Sequence, residues 1–401
     1  MITVNKAEQI IHSHHWNPDS ITVPLKDSLN CYLAEPVMAD RDFPPFHRVT
    51  MDGIAIKYQD YANGQTDFEI HGIQMAGQSP LHLNKNGCLE VMTGAVCPEG
   101  ADTIIPYEEL ELDEKASKAA LKTSNVKKGQ NIHKKGSDRL EGTTLISPGK
   151  LISPSEIAIL ATVGKVTVRI YAAPKILIVS TGNELVDVHE MPEPQQIRKS
   201  NSYAIQSILR HNHINSDALH LTDDPDLMKV KISEVLKHYD VLLFSGGVSK
   251  GKADFVPAVL SACGINKHFH RVKQRPGKPL WFGTGVNQKI VFAFPGNPVS
   301  TVVGIYRYFL PWFHASFTGK LRTPASVILQ KDFIFKPDLT FFLQLKISYS
   351  SNGTIEAIPN QGQGSGDFAN LLMVDGFGEL AADKSDFPAG TAIPFYPIRP
   401  I

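Results

Sequence analysis

Cysteine is scarce in this chain and carries no pattern. The four cysteines, Cys31, Cys88, Cys97 and Cys263, stand far apart with no C-x-x-C pair. That spacing argues against a zinc cluster or a disulfide framework and fits idle thiols in a reducing, cytoplasmic compartment. An excess of either charge is missing too, since Lys and Arg total 40 and Asp and Glu total 40. A balanced chain is not steered toward nucleic acid or an anionic membrane, so any anionic ligand has to be caught by a local site. No apolar run approaches the roughly 18 residues of a membrane-spanning helix. The opening "MITVNKAEQIIHSHHW" has no apolar stretch like that of a secretory leader. Internal repeats and low-complexity tracts are lacking as well. What is present, 42% hydrophobic and 20% charged residues over 401 positions, describes a globular protein too long for one ordinary core.

The chain changes character along its length. "AEQIIHSHHW" predicts a short helix, and "SLNCYLAEPVMADRDFPPF" runs extended into two prolines. From Met51 to about Lys135, short strands such as "DGIAIK", "FEIHGI" and "CLEVMTG" alternate with turns. "SPGKLISPSEIAILATVG" predicts a helix capped by Ser153 or Ser155, with Ile157, Ile159, Leu160 and Val163 on its apolar face. Strands then alternate with helical patterns. "PKILIVS", "DVLLFS" and "KIVFAF" are the strands, while "SNSYAIQSIL", "DPDLMKVKISEVLKH", "FVPAVLSACG" and "TVVGIYRYFLPWF" are the helices. This alternation predicts a doubly wound α/β domain. After Thr318 the pattern becomes all-strand and predicts a small barrel or sandwich.

Ligands in doubly wound sheets bind beyond the carboxyl ends of the strands, where "STGNEL", "SGGVSKGKAD" and "PGNPVS" lie. The middle loop nearly matches a P-loop, with Gly246, Gly251 and Lys252 in place. Ala253, however, stands where the Mg²⁺-holding hydroxyl belongs, and no strand ends in a convincing Walker-B aspartate. A glycine pair after a buried strand turns the backbone sharply and exposes its N–H groups to an anion, or simply makes the turn. Ser249 adds a hydroxyl, and Lys250 or Lys252 a charge. Glu184, Asp223 and Asp254 supply carboxylates of the kind Mg²⁺ takes alongside substrate phosphates. Arg271, Arg275 and Lys278 surround a Pro-Gly turn, and Ser300 follows Pro295 and Pro298 near a helix start. Each loop alone also suits a structural role, as a helix cap at Asp223-Asp224-Pro225 or a solvated basic face.

In combination, "PPFHRVTMDGIAI", "VMTGAVCPEGADTIIPYEE", "NIHKKGSD", "STGNELV", "IRKSNS", "SGGVSKGKADF", "RPGKPLWFG", "FPGNPVS" and "NQGQGSGDFANL" resemble, in order, the molybdopterin molybdenumtransferases. This is the MoeA family, to which the gephyrin E domain belongs. The resemblance covers nearly the whole chain. It implies an elongated linker domain (1–45 and 141–168), a β-rich inserted domain (46–140), an α/β molybdopterin-binding domain (169–318) and a C-terminal β-barrel (319–401). It implies a homodimer whose sites combine the α/β domain of one copy with parts of the other. The implied reaction joins adenylylated molybdopterin and molybdate to give molybdenum cofactor and AMP, with Mg²⁺ as cofactor. A separate adenylyltransferase and acceptor molybdoenzymes are the expected partners.

By the same resemblance, Asp52, Thr93, Glu184, Asp223 and Asp254 match the catalytic positions, with Glu184, Asp223 and Asp254 as metal ligands. Asp138, Gly246, Gly247, Ser249, Arg271, Arg275, Lys278, Pro295, Pro298 and Ser300 match substrate-binding positions. The chain departs from the family pattern in three places. The usual "FDNSAMDG" reads "FHRVTMDG", His133 replaces a frequent Arg, and "RTEFLR" becomes "LTFFLQ" at 339–344. Two rival readings are a scaffold that binds molybdopterin without turnover and a nucleotide hydrolase built on the imperfect P-loop.

Overall fold

The computed structural model describes residues 1–248, 255–364 and 366–400. At its centre three strands, Ile176–Thr181, Val241–Ser245 and Ile290–Phe294, contain only buried residues. Burial on both faces is why they read as unbroken apolar runs. Alternate side chains serve opposite layers. Ile178, Leu243 and Phe292 pack with Ile205 and Leu209 of helix Asn201–His211 on one face. Leu177, Leu242 and Val291 pack with Ile232 of helix Pro225–Val235 and Leu260 of helix Val256–Ala262 on the other.

The sheet has six strands, ordered 217–221, 176–181, 241–245, 290–294, 281–284 and 266–270. The first four pair in parallel, 281–284 runs against them, and 266–270 pairs antiparallel with 281–284 at the edge. This is the doubly wound layer the sequence predicts, with an antiparallel edge it does not predict. The loops at 271–280 and 285–289 are too short for the helical crossover a parallel neighbour needs, so the chain reverses direction there.

The helix predicted over "TVVGIYRYFLPWF" is not uniform. It runs as Pro298–Gly304, a π-helical turn Ile305–Phe309, then Leu310–Thr318. Pro311 explains the wide turn, because it has no N–H to offer the carbonyl four residues back and its ring would clash there. Helix Pro154–Thr162 starts on Ser153 with a capping box to Glu156. Its Leu160 is buried, whereas Ile159 faces solvent, contrary to the expected apolar face.

Distant segments meet beside this α/β layer. Ser20–Pro24 pairs with Thr167–Tyr171, and Val37–Met38 with Thr144–Ile146, around a core of Leu33, Val37, Ile146, Leu160 and Ile170. The stretch between them folds into a second six-stranded sheet, ordered 103–106, 53–56, 87–91, 67–74, 118–121 and 110–113. After residue 324, five strands close into a barrel, because Thr340–Tyr349 pairs with both Ile355–Pro359 and Gly376–Leu380. The ring returns through Ala392–Pro397 and Ala325–Leu329.

One buried cation ties three regions together. Arg307, 5% exposed in the π turn, holds Glu8 of helix Val4–His12 at 2.6 Å and Glu379 of the barrel at 2.8 Å. Burial by itself would lower the guanidinium's pKa, but the two carboxylates outweigh it and keep the group charged. Tyr396 donates to Glu379 at 2.8 Å, and the Tyr308 and Tyr396 rings lie 5.4 and 5.3 Å from the guanidinium carbon. Val4, Ala7 and Ile11 of the first helix also enter the α/β core, although the helix lies in the segment assigned above to the linker. Arg307→Ala strands two carboxylates, so a stability loss of about 3–5 kcal/mol is expected by denaturant titration. A loss below about 1 kcal/mol would mean the network is solvated.

Candidate active site

The parallel strands end together, and their loops form the walls of one cleft. After Ser245 the backbone takes φ +103° at Gly246 and +68° at Gly247. A side chain on Gly246 would stand 2.9 Å from the Thr181 carbonyl oxygen, so the turn needs glycine. His270 Nε2 lies 2.8 Å from the Val248 carbonyl, and the Gly246 N–H donates to Phe294 O at 3.0 Å, which fixes the turn from both sides. Asp224 caps helix Pro225–Val235 by accepting from the Asp226 and Leu227 N–H groups, each at 3.0 Å. With the cap supplied by Asp224, Asp223 is left to accept from Asn183 N at 3.3 Å. The Glu184 carboxylate curls over Gly182, where an added Cβ would stand 2.5 Å from Oε2.

Glu184, Asp223, Gly246, Gly247, Pro295 and Pro298 line one half of the cleft, about 580 Å³. Arg275, Lys278, Pro295 and Ser300 line the adjoining half, about 620 Å³, whose far wall is Leu339, Phe341 and Gln344 of the barrel. Pro295 and Asn297 belong to both halves. Glu184 and Asp223 make no ion pair among the described residues, nor do Arg275 and Lys278, whereas Lys199 is neutralised by Asp187 at 2.9 Å. That bond, with help from the Val188 N–H, holds the Asp187 carboxyl down at about 2. Arg198 also lines the first half, its guanidinium donating to the Glu190 carbonyl, so that half mixes unpaired carboxylates with one cation, while the other carries Arg275 and Lys278.

Sequence reasoning missed Asn201. Its side-chain NH₂ donates to Ser245 Oγ at 2.9 Å and to the Gly296 carbonyl at 2.7 Å, joining the glycine turn to the "PGNP" loop. Its Oδ1 and the Thr181 hydroxyl are buried with no hydrogen-bond partner among the described residues, an arrangement that suits a bound polar group. The position within "SNS" gave no hint, because Asn at a helix start usually signals a cap. Phe341 was noted only as a departure. In the structure its ring stacks on Phe335 at 4.4 Å and carries the Arg275 guanidinium 5.9 Å from its centroid, which steadies the cation without neutralising it.

The structure does not bring every expected residue to this cleft. Arg271 sits at φ +82° beside the N-terminus, its carbonyl accepting from Ile2 N at 3.2 Å, and lines neither half. Asp52 and Thr93 lie in the inserted sheet region. They bind each other, with the Thr93 N–H and hydroxyl donating to Asp52 Oδ1 at 2.6 and 2.7 Å. The backbone bond first, then the hydroxyl, holds the Asp52 carboxyl below its usual range. Asp138 lies 2.8 Å from His133 Nε2, and His133 Nδ1 lies 3.1 Å from Arg48 Nη2. Arginine can only donate, so Nδ1 accepts and the ring proton points to Asp138. The two departures at 48 and 133 thus touch, and a positive group stays linked to Asp138. Ser249 and Asp254 lie outside the described residues. A larger hollow, about 880 Å³, opens where the strands begin, among Tyr32, Lys175, Asp217, Tyr239 and His314. It lies at the wrong end of the sheet for the loops above.

Comparison with known proteins points the same way. Residues 2–164 match the MoeA N-terminal region (domain I and II), residues 177–315 a probable molybdopterin binding domain, and residues 326–398 the MoeA C-terminal region (domain IV). A molybdopterin molybdenumtransferase of Synechocystis sp. is 37% identical over 99% of this chain and 100% of its own length. The enzyme of that name from Bacillus subtilis is 30% identical over 99% and 94%. The crystal structure of a molybdopterin biosynthesis MoeA protein from Pyrococcus horikoshii superposes with a TM-score of 0.82, at 25% identity over the whole of both chains.

Two outcomes are expected here. Asn201→Ala removes both bonds between the loops and should cost about 1–3 kcal/mol of stability, read by denaturant titration. Thr93→Val leaves the backbone bond and removes the hydroxyl. Because the folded pKa of Asp52 is depressed, its stabilising contribution holds above the unfolded value of 3.8 and fades as pH falls through the folded value. In the variant the Asp52 pKa should move up toward 3.8, as followed by carboxyl NMR titration. An unchanged titration would show that the hydroxyl contributes nothing.

Proposed function

The chain belongs to the MoeA family of molybdopterin molybdenumtransferases, and we propose that it inserts molybdenum from molybdate into adenylylated molybdopterin with release of AMP. The observation that carries this reading is the cleft itself, with a glycine turn, Glu184 and Asp223 in one half and Arg275 and Lys278 in the other, the four making no ion pair among the described residues. A substrate with a phosphoanhydride at one end and an oxyanion partner at the other needs both kinds of group. Binding holds the reactants together, and fixed charges stabilise the phosphate as the anhydride opens.

In this reading the Gly246-Gly247 turn and Asn201 hold phosphate oxygens, and Arg275 and Lys278 hold the anionic groups across the cleft. Ser300, Pro295 and Pro298 shape the floor between them. Ser249 and Asp254 are proposed to complete the turn. Glu184 and Asp223, which make no ion pair among the described residues, suit a hard divalent ion that takes one or two carboxylates together with substrate phosphates. They would hold Mg²⁺, with Asp254, and the ion would offset phosphate charge as the anhydride breaks.

Asp52, Thr93 and Asp138 line neither half of the cleft. We therefore assign them to the cleft of a second copy in a homodimer, where the ionised Asp52 would face the substrate. The four cysteines are free, which fits the reducing cytoplasm, and no described helix is long and apolar enough to cross a membrane. A separate adenylyltransferase would supply the substrate, and molybdoenzymes would accept the product.

The test supplies adenylylated molybdopterin, Mg²⁺ and molybdate and follows AMP release alongside activation of a cofactor-free molybdoenzyme. Both are expected, and Glu184→Ala or Asp254→Ala should slow them about 100-fold or more, as for loss of a group that stabilises charge in the transition state. Tight substrate binding with neither product would favour the non-catalytic scaffold instead.

A further inference from the structure

The basic turn at 275–278 has to keep two cations in the open without a carboxylate to anchor them, and the fold holds it by uncharged groups. Gln274, 1% exposed, donates from Nε2 to the Pro276 carbonyl at 3.1 Å and the Gly277 carbonyl at 3.3 Å. Its Oε1 accepts a short hydrogen bond from the hydroxyl of Tyr308, itself 1% exposed. Tyr308 is fixed in turn by the neighbouring Arg307 guanidinium over its ring, and Arg307 by Glu8 and Glu379. Outside this chain of contacts, Gln274 and Arg275 pair with Thr340 and Phe341 of the barrel, and Lys273 N donates to Ile2 O at 2.7 Å.

A buried amide with both ends bonded is a costly group to keep unless its geometry is used, because an apolar side chain of similar size would fill the space without needing partners. Here the geometry is used on two consecutive carbonyls of the very turn that presents Arg275 and Lys278. We propose that Gln274 and Tyr308 are positioning residues for substrate binding, setting the angle at which the 275–278 turn offers its cations to the cleft. Neither touches the cleft's reacting groups. Tyr308 acts only through Gln274, and Gln274, although it borders the cleft, is 1% exposed and spends its amide on the turn and on Tyr308. The π-helical turn at Ile305–Phe309 has a purpose in this scheme, since it carries Arg307 and Tyr308 together into the interior. The inference rests on the proposed role of Arg275 and Lys278 as anion holders.

Steady-state kinetics with adenylylated molybdopterin at saturating molybdate, on the full-length protein, separate the possibilities. Tyr308→Phe removes one hydroxyl, and Gln274→Met, of similar volume, removes the amide from the other side. Each should raise KM about three- to tenfold with kcat little changed, as for loss of one hydrogen bond used in binding. Combined, they should raise it no further than the worse single variant, because they break one relay. A lower melting temperature with KM unchanged would make the pair structural and overturn the proposal. So would additive effects in the double variant. Lys278→Ala is the control for the underlying reading. If it leaves KM unchanged, the anion-holding role of the turn fails. If it raises KM and Tyr308→Phe does not, only the positioning role fails. Should either single variant not fold, the other alone still gives the KM and melting readouts.

Discussion

Burial of the central strands on both faces governs the rest of this molecule. Ile176–Thr181, Val241–Ser245 and Ile290–Phe294 are buried throughout, and polar side chains enter two of them only at the carboxyl end, at Ser180, Thr181 and Ser245. A polar group placed in the apolar middle of these strands would lose its water without gaining a partner. Functional residues are therefore pushed to where the strands stop, and parallel pairing makes three strands stop at one edge. The glycine turn, the Glu184 loop and the "PGNP" loop face one another for that reason. The empty-handed donors and acceptors at Thr181 and Asn201 sit at the same boundary, at the first positions where a ligand could satisfy them.

The second constraint is ionic. A guanidinium as buried as that of Arg307 is tolerated only with its counter-charges in place, and these come from the first helix and the last domain. The pairing therefore fixes where the barrel and the N-terminal helix lie against the α/β layer. The barrel forms one wall of the cleft through Leu339, Phe341 and Gln344, so cleft width depends on an interaction well removed from it. The departures from the family pattern fall into place in the same physical terms. Phe341, where the family pattern has a glutamate, offers Arg275 an aromatic face, which leaves the cation's charge unspent. Arg48 stands beside His133 and keeps a positive group in contact with the chain of bonds to Asp138.

Much of this was legible in the residues themselves. Apolar runs of five or six with turn signals between them marked the buried strands, and the 3.6-residue spacing of Ile205 and Leu209 marked a helix that does bury those positions. Gly246-Gly247, Glu184 and Asp223 stood out because several such loops gather at one sheet edge, although each alone suits a structural role. The antiparallel edge was not legible, because nothing in "KHFH" or "WFGT" states direction, which depends on the length of the loops between them. Gln274 and Tyr308 were invisible for a different reason. A polar residue in a sequence looks solvated until its partner, more than thirty residues away, is brought to it.

Composition, periodicity and loop chemistry by themselves determined the layer architecture, the end of the sheet that carries the site, and the kinds of group in it, since each depends on residues near one another in the chain. Tertiary structure alone decided which groups share a cleft. It set Arg271 apart from Arg275, Asp52 apart from Glu184, and Asp224 rather than Asp223 on the helix cap. Those outcomes depend on distances closed by packing and buried charge between segments far apart in sequence, and no local pattern encodes them.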